Sequence, residues 1–460
     1  MAKILIFIDH DITLRHFVIT GVLRALEDEH DVVWVFPDRH RRVTHDPSSL
    51  PIGRHRTVSV SEARLHGYRR LYHASVLRML RGTRDERAMF SFWREVLGLR
   101  AFSASWMMSW PGSYQLYRRR MLARIGEPEA VTALVDEEKP DVILHPTVLE
   151  GLFVSDLVHV GRAREIPTVF LMNSWDNPAV KAMTVGTPSR LVVWGEHSRR
   201  LAHERLGMPL SDILTFGAAQ FEVYRRPPRE APAAYRARLG IPVGQPLLLY
   251  AGSSKGLDET AHLRALDAAV ASGHVPRCTV LYRPHPWRAR VDTEEDFYAR
   301  RWRHVMMAPD MADYYRRHRA GETAIYLADY DETHVTLSAV DAVVSPLSTI
   351  LLEAGLHGKP MLAYLPDEDM QQNAAMFSMA KAVHFRDFFA RVDCLRCEDP
   401  ASLVADCRRL LERARDAAVG DTLRRQCGFF ADTTGVAYAE RLDTLIDELC
   451  GQRRAPGIGR

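Results

Sequence analysis

The stretch that most constrains this chain is Val343 to Pro360, VVSPLSTILLEAGLHGKP, in which a strand, a break and a buried helix follow one another directly. Val343-Val344 ends an apolar β-run that begins near Asp341, and Ser345-Pro346-Leu347-Ser348-Thr349 breaks it. Ile350 to Leu356 then carries the apolar spacing of a buried helix. Gly358 and Pro360 close that helix, Gly at the end and Pro beyond it, and Met361 to Tyr364 reads as the next strand. The first turn of such a helix offers free N–H groups and the positive end of its dipole, which suits a phosphate. Ser345, Ser348 and Thr349 add side-chain donors there, and Glu353, one turn on, can accept hydrogen bonds from a ribose. The plainer reading of Ser348 is a helix cap.

Two more loops have the same character. Thr279 to Arg283 is a β-run that empties into Arg283-Pro284-His285-Pro286-Trp287, a rigid turn holding Arg and His. Leu247 to Ala251 is another, followed by Gly252-Ser253-Ser254-Lys255-Gly256 and a helix near Asp258. In an open parallel sheet, ligands sit beyond the carboxyl ends of the strands. Three anion-friendly loops on successive strand ends point to a nucleotide diphosphate site. Asp329-Tyr330-Asp331 has the DxD spacing of metal-dependent transferases of a different fold. Here it follows a strand, Ala324 to Leu327, and starts a helix, so N-capping is the preferred reading. Asp329 still falls on the base or ribose side of the expected pocket.

RPHP, followed some sixty residues later by SPLSTILLEAGLHGKP, resembles the C-terminal half of GT-B glycosyltransferases. The likeness is to the bacterial surface-polysaccharide branch, with its capsule sialyl- and Kdo-transferases and CDP-glycerol glycerophosphotransferases. Those enzymes hold the donor's phosphates with a His-Pro motif and a Ser-Ser/Thr motif, matched here by His285 and by Ser348-Thr349. The resemblance implies an α/β chain of two Rossmann-like, doubly wound parallel-sheet domains facing a central cleft. It also implies a last helix that packs back on the first domain. UDP-GlcNAc 2-epimerases share that fold, but their comparable turn carries a Gly-Gly pair that this chain lacks.

The first half of the sequence has the cadence of short strand, polar loop and helix that a parallel sheet requires. Ile4 to Ile8 reads as a strand and Leu14 to Leu26 as an amphipathic helix. The loop between them carries Asp9, His10 and Asp11 but no GxGxxG, so no dinucleotide is expected. Later loops put His145 and Glu150 beyond one strand and Trp175, Asp176 and Asn177 beyond the next. The SWDN pattern of that loop is similar to one in bacterial polysaccharide glycosyltransferases. Arg54 to Arg124 reads as a helical insertion, rich in Arg, interleaved with aromatics from Tyr68 to Trp110 and poor in acidic residues. Such a segment suits an anionic membrane surface or polyanionic glycan; equally, its aromatics can be core and its arginines solvated. The proline-rich stretch to Pro246 marks a linker. The expected domains are 1–225 with its insertion at about 54–125, a linker 226–245, a second domain 246–430, and a final helical segment 431–460.

At 460 residues there is length for two cores, and a net charge of +3 does not indicate a nucleic-acid binder. The six cysteines are scattered, and Cys394-Leu-Arg-Cys397 lacks a second pair, so no metal site is expected. The apolar run after Met1 is too short for a secretion signal, and no stretch is long enough to span a bilayer. The expected location is the cytoplasm, including the inner face of the plasma membrane through residues 54–125.

Moving a sugar from a nucleotide requires a cationic or dipolar cradle for the departing phosphate and, for inversion, a base for the acceptor hydroxyl. Gly252, Ser253, Ser254, Lys255, Arg283, His285, Asp329, Ser345, Ser348, Thr349 and Glu353 form the expected donor side, needing no metal or other cofactor. His10, Asp11, His145 and Glu150 are the candidate bases, His285 a candidate donor to the leaving phosphate, and Trp175-Asp176-Asn177 an acceptor-side loop. The sequence reads as a metal-independent glycosyltransferase acting on a nucleotide-sugar donor and a glycan or lipid-linked acceptor in bacterial surface polysaccharide biosynthesis. The alternatives are a nucleotide-sugar epimerase or hydrolase on the same scaffold and a non-catalytic polyanion-binding protein.

Overall fold

A computed structural model of the chain describes residues 1–38, 42–253, 258–285, 293–320, 329–366, 374–433 and 435–454. Ser254 and Lys255 of the expected donor loop, Pro286 and Trp287 of the Arg-His turn, and the strand expected at 324–327 lie outside those residues.

The chain divides into two compact units, Met1–Glu222 with Phe430–Arg460, and Val223–Phe429. In the first, the elements run β1 Lys3–Phe7, α1 Asp11–Thr13, β2 Asp31–Pro37, β3 His55–Val58, α2 Glu62–Leu80, α3 Glu86–Met108, α4 Pro111–Ile125 and α5 Glu129–Glu138. They continue with β4 Val142–Thr147, α6 Val154–Ala163, β5 Thr168–Met172, α7 Asn177–Val180, β6 Arg190–Val193, α8 Glu196–Leu206 and β7 Ile213–Thr215. The sheet order is β3-β2-β1-β4-β5-β6-β7, all parallel. Strands covered on both faces read as near-continuous apolar runs. Ile4, Leu5, Ile6 and Phe7 are accordingly all fully buried.

In the second unit, α9 Pro232–Arg238, β8 Leu247–Ala251, α10 Glu259–Ala271, β9 Thr279–Arg283, α11 Thr293–Tyr298, β10 Val305–Met307 and α12 Pro309–Arg319 come first. α13 Tyr330–Ala339, β11 Ala342–Ser345, α14 Ile350–Leu356, β12 Met361–Tyr364 and β13 Leu395–Cys397 follow. Its sheet, β10-β9-β8-β11-β12-β13, is also parallel. Both sheets reverse direction at their first strand, so each has a crevice beside the strand ends, between β1 and β4 in one and β8 and β11 in the other.

Four expectations need correction. The helix expected at Leu14–Leu26 is instead a π-helical turn, Leu14–Ile19, and a 3-10 turn, Arg24–Asp28. Gly21 separates them at φ +82°, a conformation that an α-helix cannot pass through. Residues 54–58 are not helical, because His55–Val58 pairs with Trp34–Pro37 as the sheet's edge strand. The expected linker is built into the second unit: Tyr235 is fully buried, with its hydroxyl 3.1 Å from Thr336, and Arg236 pairs with Asp341 at 3.0 Å. The last helix, Tyr438–Arg454, starts later than the final helical segment expected from residue 431. Its segment belongs to the first unit, where His30 meets Asp443 at 2.7 Å and Tyr438 packs edge-on to Phe17 and Phe216.

Within the insertion, Leu71 and Ala74 of α2 and Tyr114 of α4 pack together, with Met108 of α3 against them. Arg64 donates to the carbonyls of Ile125, Gly126 and Glu127, the orphan acceptors at the end of α4, and pairs with Asp156 at 2.7 Å. Arg81 lies over the rings of Trp106 and Trp110. These two arginines and their aromatics are structural, as the plainer reading of the segment held. Among the described residues, no helix is long and apolar enough to cross a membrane.

Candidate functional site

Of the expected donor-side residues, Gly252, Ser253, Arg283, His285, Ser345, Ser348 and Thr349 lie at or just beyond the ends of three neighbouring strands, β9, β8 and β11. The strand ends are tied to one another: Gly252 N–H donates to the Arg283 carbonyl at 2.9 Å, and the Ser345 hydroxyl to the Ala251 carbonyl at 2.8 Å. Ser345 is fully buried and spent on that bond, so its role is to hold β11 against β8. Gly252 has a steric reason to be glycine, since a Cβ there would lie 2.4 Å from the Glu259 carboxylate. Glu259 is fully buried and accepts from the Ser253 N–H at 2.7 Å and the Tyr282 hydroxyl at 2.8 Å, shaping the start of the β8–α10 loop.

Arg283 Nε donates to Asp310 at 3.0 Å, which holds the guanidinium at the end of β9. His285 follows it, half-buried. At the end of β11, Thr349 occupies the cap position of α14 without capping it through its side chain. Ser348 and Thr349 are both half-buried, and among the described residues neither hydroxyl makes a hydrogen bond. The structure therefore does not spend Ser348 on the helix.

Glu353 lies one turn further on but already accepts a short hydrogen bond from the Tyr224 hydroxyl. Burial and the Glu353 charge hold that phenol far above its ordinary range, while the field of Arg283 acts in the opposite direction. Tyr224 also stacks near His334 and His357, whose facing ring nitrogens are 2.9 Å apart. Burial pushes His357 down to about 3, so its ring is neutral near pH 7. Asp329 caps α13 by accepting from the Asp331 N–H and pairs with Arg229 at 2.8 Å, in keeping with the capping reading.

In the first unit's crevice most of the polar groups are already engaged. Asp9 is buried and accepts from the Leu152 N–H at 2.6 Å. Asp11, 1% exposed, accepts from the Thr44 N–H and hydroxyl and meets His45 at 3.2 Å. Burial alone would raise its carboxyl; the bonds from His45 and Thr44 outweigh burial and hold it below the ordinary value. His145 lies inside β4 rather than beyond it, fully buried, its Nδ1 2.9 Å from the Phe7 carbonyl. A carbonyl only accepts, so Nδ1 carries the proton and Nε2 faces Asp9 at 3.8 Å, too far for a hydrogen bond. Burial keeps this ring neutral despite the Asp9 charge.

Trp175 is also a core residue, packed 5.5 Å from the Phe430 ring, and it offers no face to an acceptor. Asn177 is buried at the start of α7, and Asp176 is half-buried. That leaves His10 and Glu150 within reach of solvent. His10 Nδ1 accepts from the Ile12 N–H at 3.0 Å, so its neutral ring presents Nε2–H, a donor. Glu150, a third exposed, pairs with Lys181 at 2.7 Å and lines a recess with Arg42, Tyr68, Arg69 and Tyr72. Burial would raise the Glu150 carboxyl, and Lys181, Arg42 and His73 more than cancel that.

Glu259, Asp310, Tyr224 and Lys181 were missed as site residues. Each acts through a partner distant in sequence, and no local motif marks it. His16 is another: buried in the π-helical turn, it is kept neutral first by burial and then by Arg15, against the hydrogen bonds of Asn173. Among the described residues, no group of three His, Cys, Asp or Glu side chains is placed to hold a metal ion.

No family model and no curated protein matches the chain. Solved structures do. A putative UDP-N-acetylglucosamine 2-epimerase from Listeria monocytogenes is similar over 100% of this chain and 99% of its own, at 12% identity and a TM-score of 0.54. The wall teichoic acid polymerase TagF, in crystals soaked with CDPG, is similar over 99% of this chain and 90% of its own, at 9% identity and a TM-score of 0.51. The fold is GT-B. On that frame, the loops after β8, β9 and β11 lie on the second Rossmann-like sheet, and Glu150 and His10 on the first.

Proposed function

We propose that the chain is a glycosyltransferase moving a sugar, or a sugar-like group, from a nucleotide-activated donor to a glycan or lipid-linked acceptor in bacterial surface polysaccharide synthesis. The observation that carries this is the end of β11, where among the described residues the hydroxyls of Ser348 and Thr349 make no hydrogen bond. Two strands along the same sheet, beyond β8, Arg283 and His285 stand at the end of β9. Hydroxyls, a guanidinium and an imidazole form a cradle suited to a diphosphate, and they stabilise the charge that develops as the sugar–phosphate bond breaks. Transfer then needs no metal.

Glu150 is the proposed base. It is ionised, reaches solvent and lines a recess with two tyrosines and two arginines. It takes the acceptor hydroxyl's proton as the new glycosidic bond forms and the nucleotide leaves with the bonding pair. That a TagF structure was soaked with CDPG supports a nucleotide-linked donor.

The second reading is a nucleotide-sugar epimerase, favoured by the Listeria neighbour. It predicts donor turnover with no acceptor present. The absence of a Gly-Gly pair in the turn after β11 argues against it.

The test is calorimetric titration with CMP, CDP, UDP and GDP, on the native protein and on a His285→Ala, Ser348→Ala double variant. Saturable binding of one nucleotide, weakened at least hundredfold in a folded variant, is the expected result. No binding of any nucleotide by the folded native protein removes the main support for this reading.

A further inference from the structure

From Arg94 to Met108 no residue is buried, although the stretch includes Val96, Leu97, Leu99, Phe102, Trp106 and Met107. Soluble proteins expose single apolar side chains freely but seldom concentrate them. Here they are concentrated. Among the described residues eleven large hydrophobic side chains are exposed, and five of them, Val96, Leu99, Met107, Trp110 and Leu116, fall on α3, α4 and their junction. Leu99 is 70% exposed and Val96 56%.

The structure gives a reason for this exposure. α3 packs on α2 through its first half, where Met89 and Trp93 are buried, the latter against Tyr72 and His73. Gly98 then breaks it at φ +72°, and the second half runs on without a buried face until Ser109. The projecting part is held at its base by Arg81, which donates to Ser109 at 2.6 Å, and by the Arg64 clamp on the end of α4.

Its charge is one-sided. Residues 86–125 contain seven arginines and two glutamates, with no lysine or aspartate. Arg118 is bound to the carbonyls of Thr184 and Val185. The other six, Arg87, Arg94, Arg100, Arg119, Arg120 and Arg124, are exposed, and among the described residues none makes an ion pair. Glu86 is occupied by the Gly82 N–H at 2.7 Å.

We propose that α3 and the start of α4 dock the protein on an anionic lipid bilayer, lying on its surface without crossing it. Valine, leucine and methionine side chains enter the headgroup boundary there, and the arginines meet the lipid phosphates. A second copy of the chain is a poor occupant, because pairing this face with itself brings like charges together. Nucleic acid gains nothing from exposed Val96, Leu99 and Leu116, which have no π-face for a base. The proposal is independent of the glycosyltransferase reading.

The test is co-sedimentation of the full chain with vesicles of phosphatidylcholine alone and with phosphatidylglycerol added, at low and high salt. Two variants accompany it: Leu99→Ser, Met107→Ser, Leu116→Ser, which removes apolar contacts, and Arg94→Glu, Arg100→Glu, Arg120→Glu, which inverts charge. All six positions are at the surface, so both variants should keep the native unfolding temperature. The expected result is salt-sensitive binding to the phosphatidylglycerol vesicles, at least tenfold stronger than to phosphatidylcholine alone and weakened at least tenfold in each variant. Nucleotide titration should be the same in all three proteins. Absence of binding to either vesicle, binding that neither variant weakens, or self-association that the serine variant abolishes would each overturn the proposal.

Discussion

The two crevices share a strand order, yet they treat their polar residues in opposite ways. Beside β1 and β4, Asp9, Asp11 and His145 are buried and bonded to the fold itself, and Glu150 is the carboxylate left at the surface. Beside β8 and β11, the buried groups Ser345 and Glu259 do the stitching, while Ser348 and Thr349 stay uncommitted. The lesson is that residue type at a strand end does not tell a ligand contact from a structural one. Burial, together with the hydrogen bonds the side chain already makes, does.

That contrast can be broken by substitution. The largest effect should come from Glu150→Gln. If Glu150 is the base, kcat should fall by about 10²–10⁴, with nucleotide affinity and thermal stability unchanged. A variant of near-native activity would move the first crevice wholly into the structural class. Asp11→Asn should act the other way, because it places an amide N–H against the Thr44 donors. Expected is a loss of about 1–3 kcal/mol in denaturant unfolding near neutral pH, with kcat little changed in the fraction that remains folded.

Its pH dependence has a definite sign. A carboxyl held low in the folded state contributes fully above its unfolded value of about 3.9, and that contribution is lost as pH falls. The gap between native and Asp11→Asn stability should therefore narrow below about pH 4. The smallest effect belongs to Ser345→Ala, about 1 kcal/mol of stability for one hydrogen bond. Calorimetry should give it native nucleotide affinity, and a large loss of affinity would place Ser345 among the ligand contacts.

Much of the second unit was legible in its residues. Leu247–Ala251, Thr279–Arg283, Ile350–Leu356 and Met361–Tyr364 have the expected bounds, because buried parallel strands are apolar throughout and Gly358 stops the helix. β3, with the polar sequence HRTV, could not be read, since an edge strand needs little burial and its pairing partner is contributed by β2. Trp175 could not be placed either. Its loop looks polar and solvent-facing, and what buries it includes Phe430, far along the chain. His145 failed for a similar reason. The apolar run ends at Leu144, but the pairing with β5 continues to Thr147 and carries the histidine inside.

The return of Phe430–Arg460 to the first unit has a consequence for how the protein is made. Val223–Phe429 is one continuous segment, complete as soon as its last residue leaves the ribosome. The first unit begins earlier and finishes later, since Trp175 and His197 wait for Phe430, Phe17 and Phe216 for Tyr438, and Trp194 for the N–H of Asp432. Domains fold as units as they emerge. In this chain the unit that starts first should therefore settle last, and its apolar surface is the one a nascent chain must shield while the other half is being synthesised.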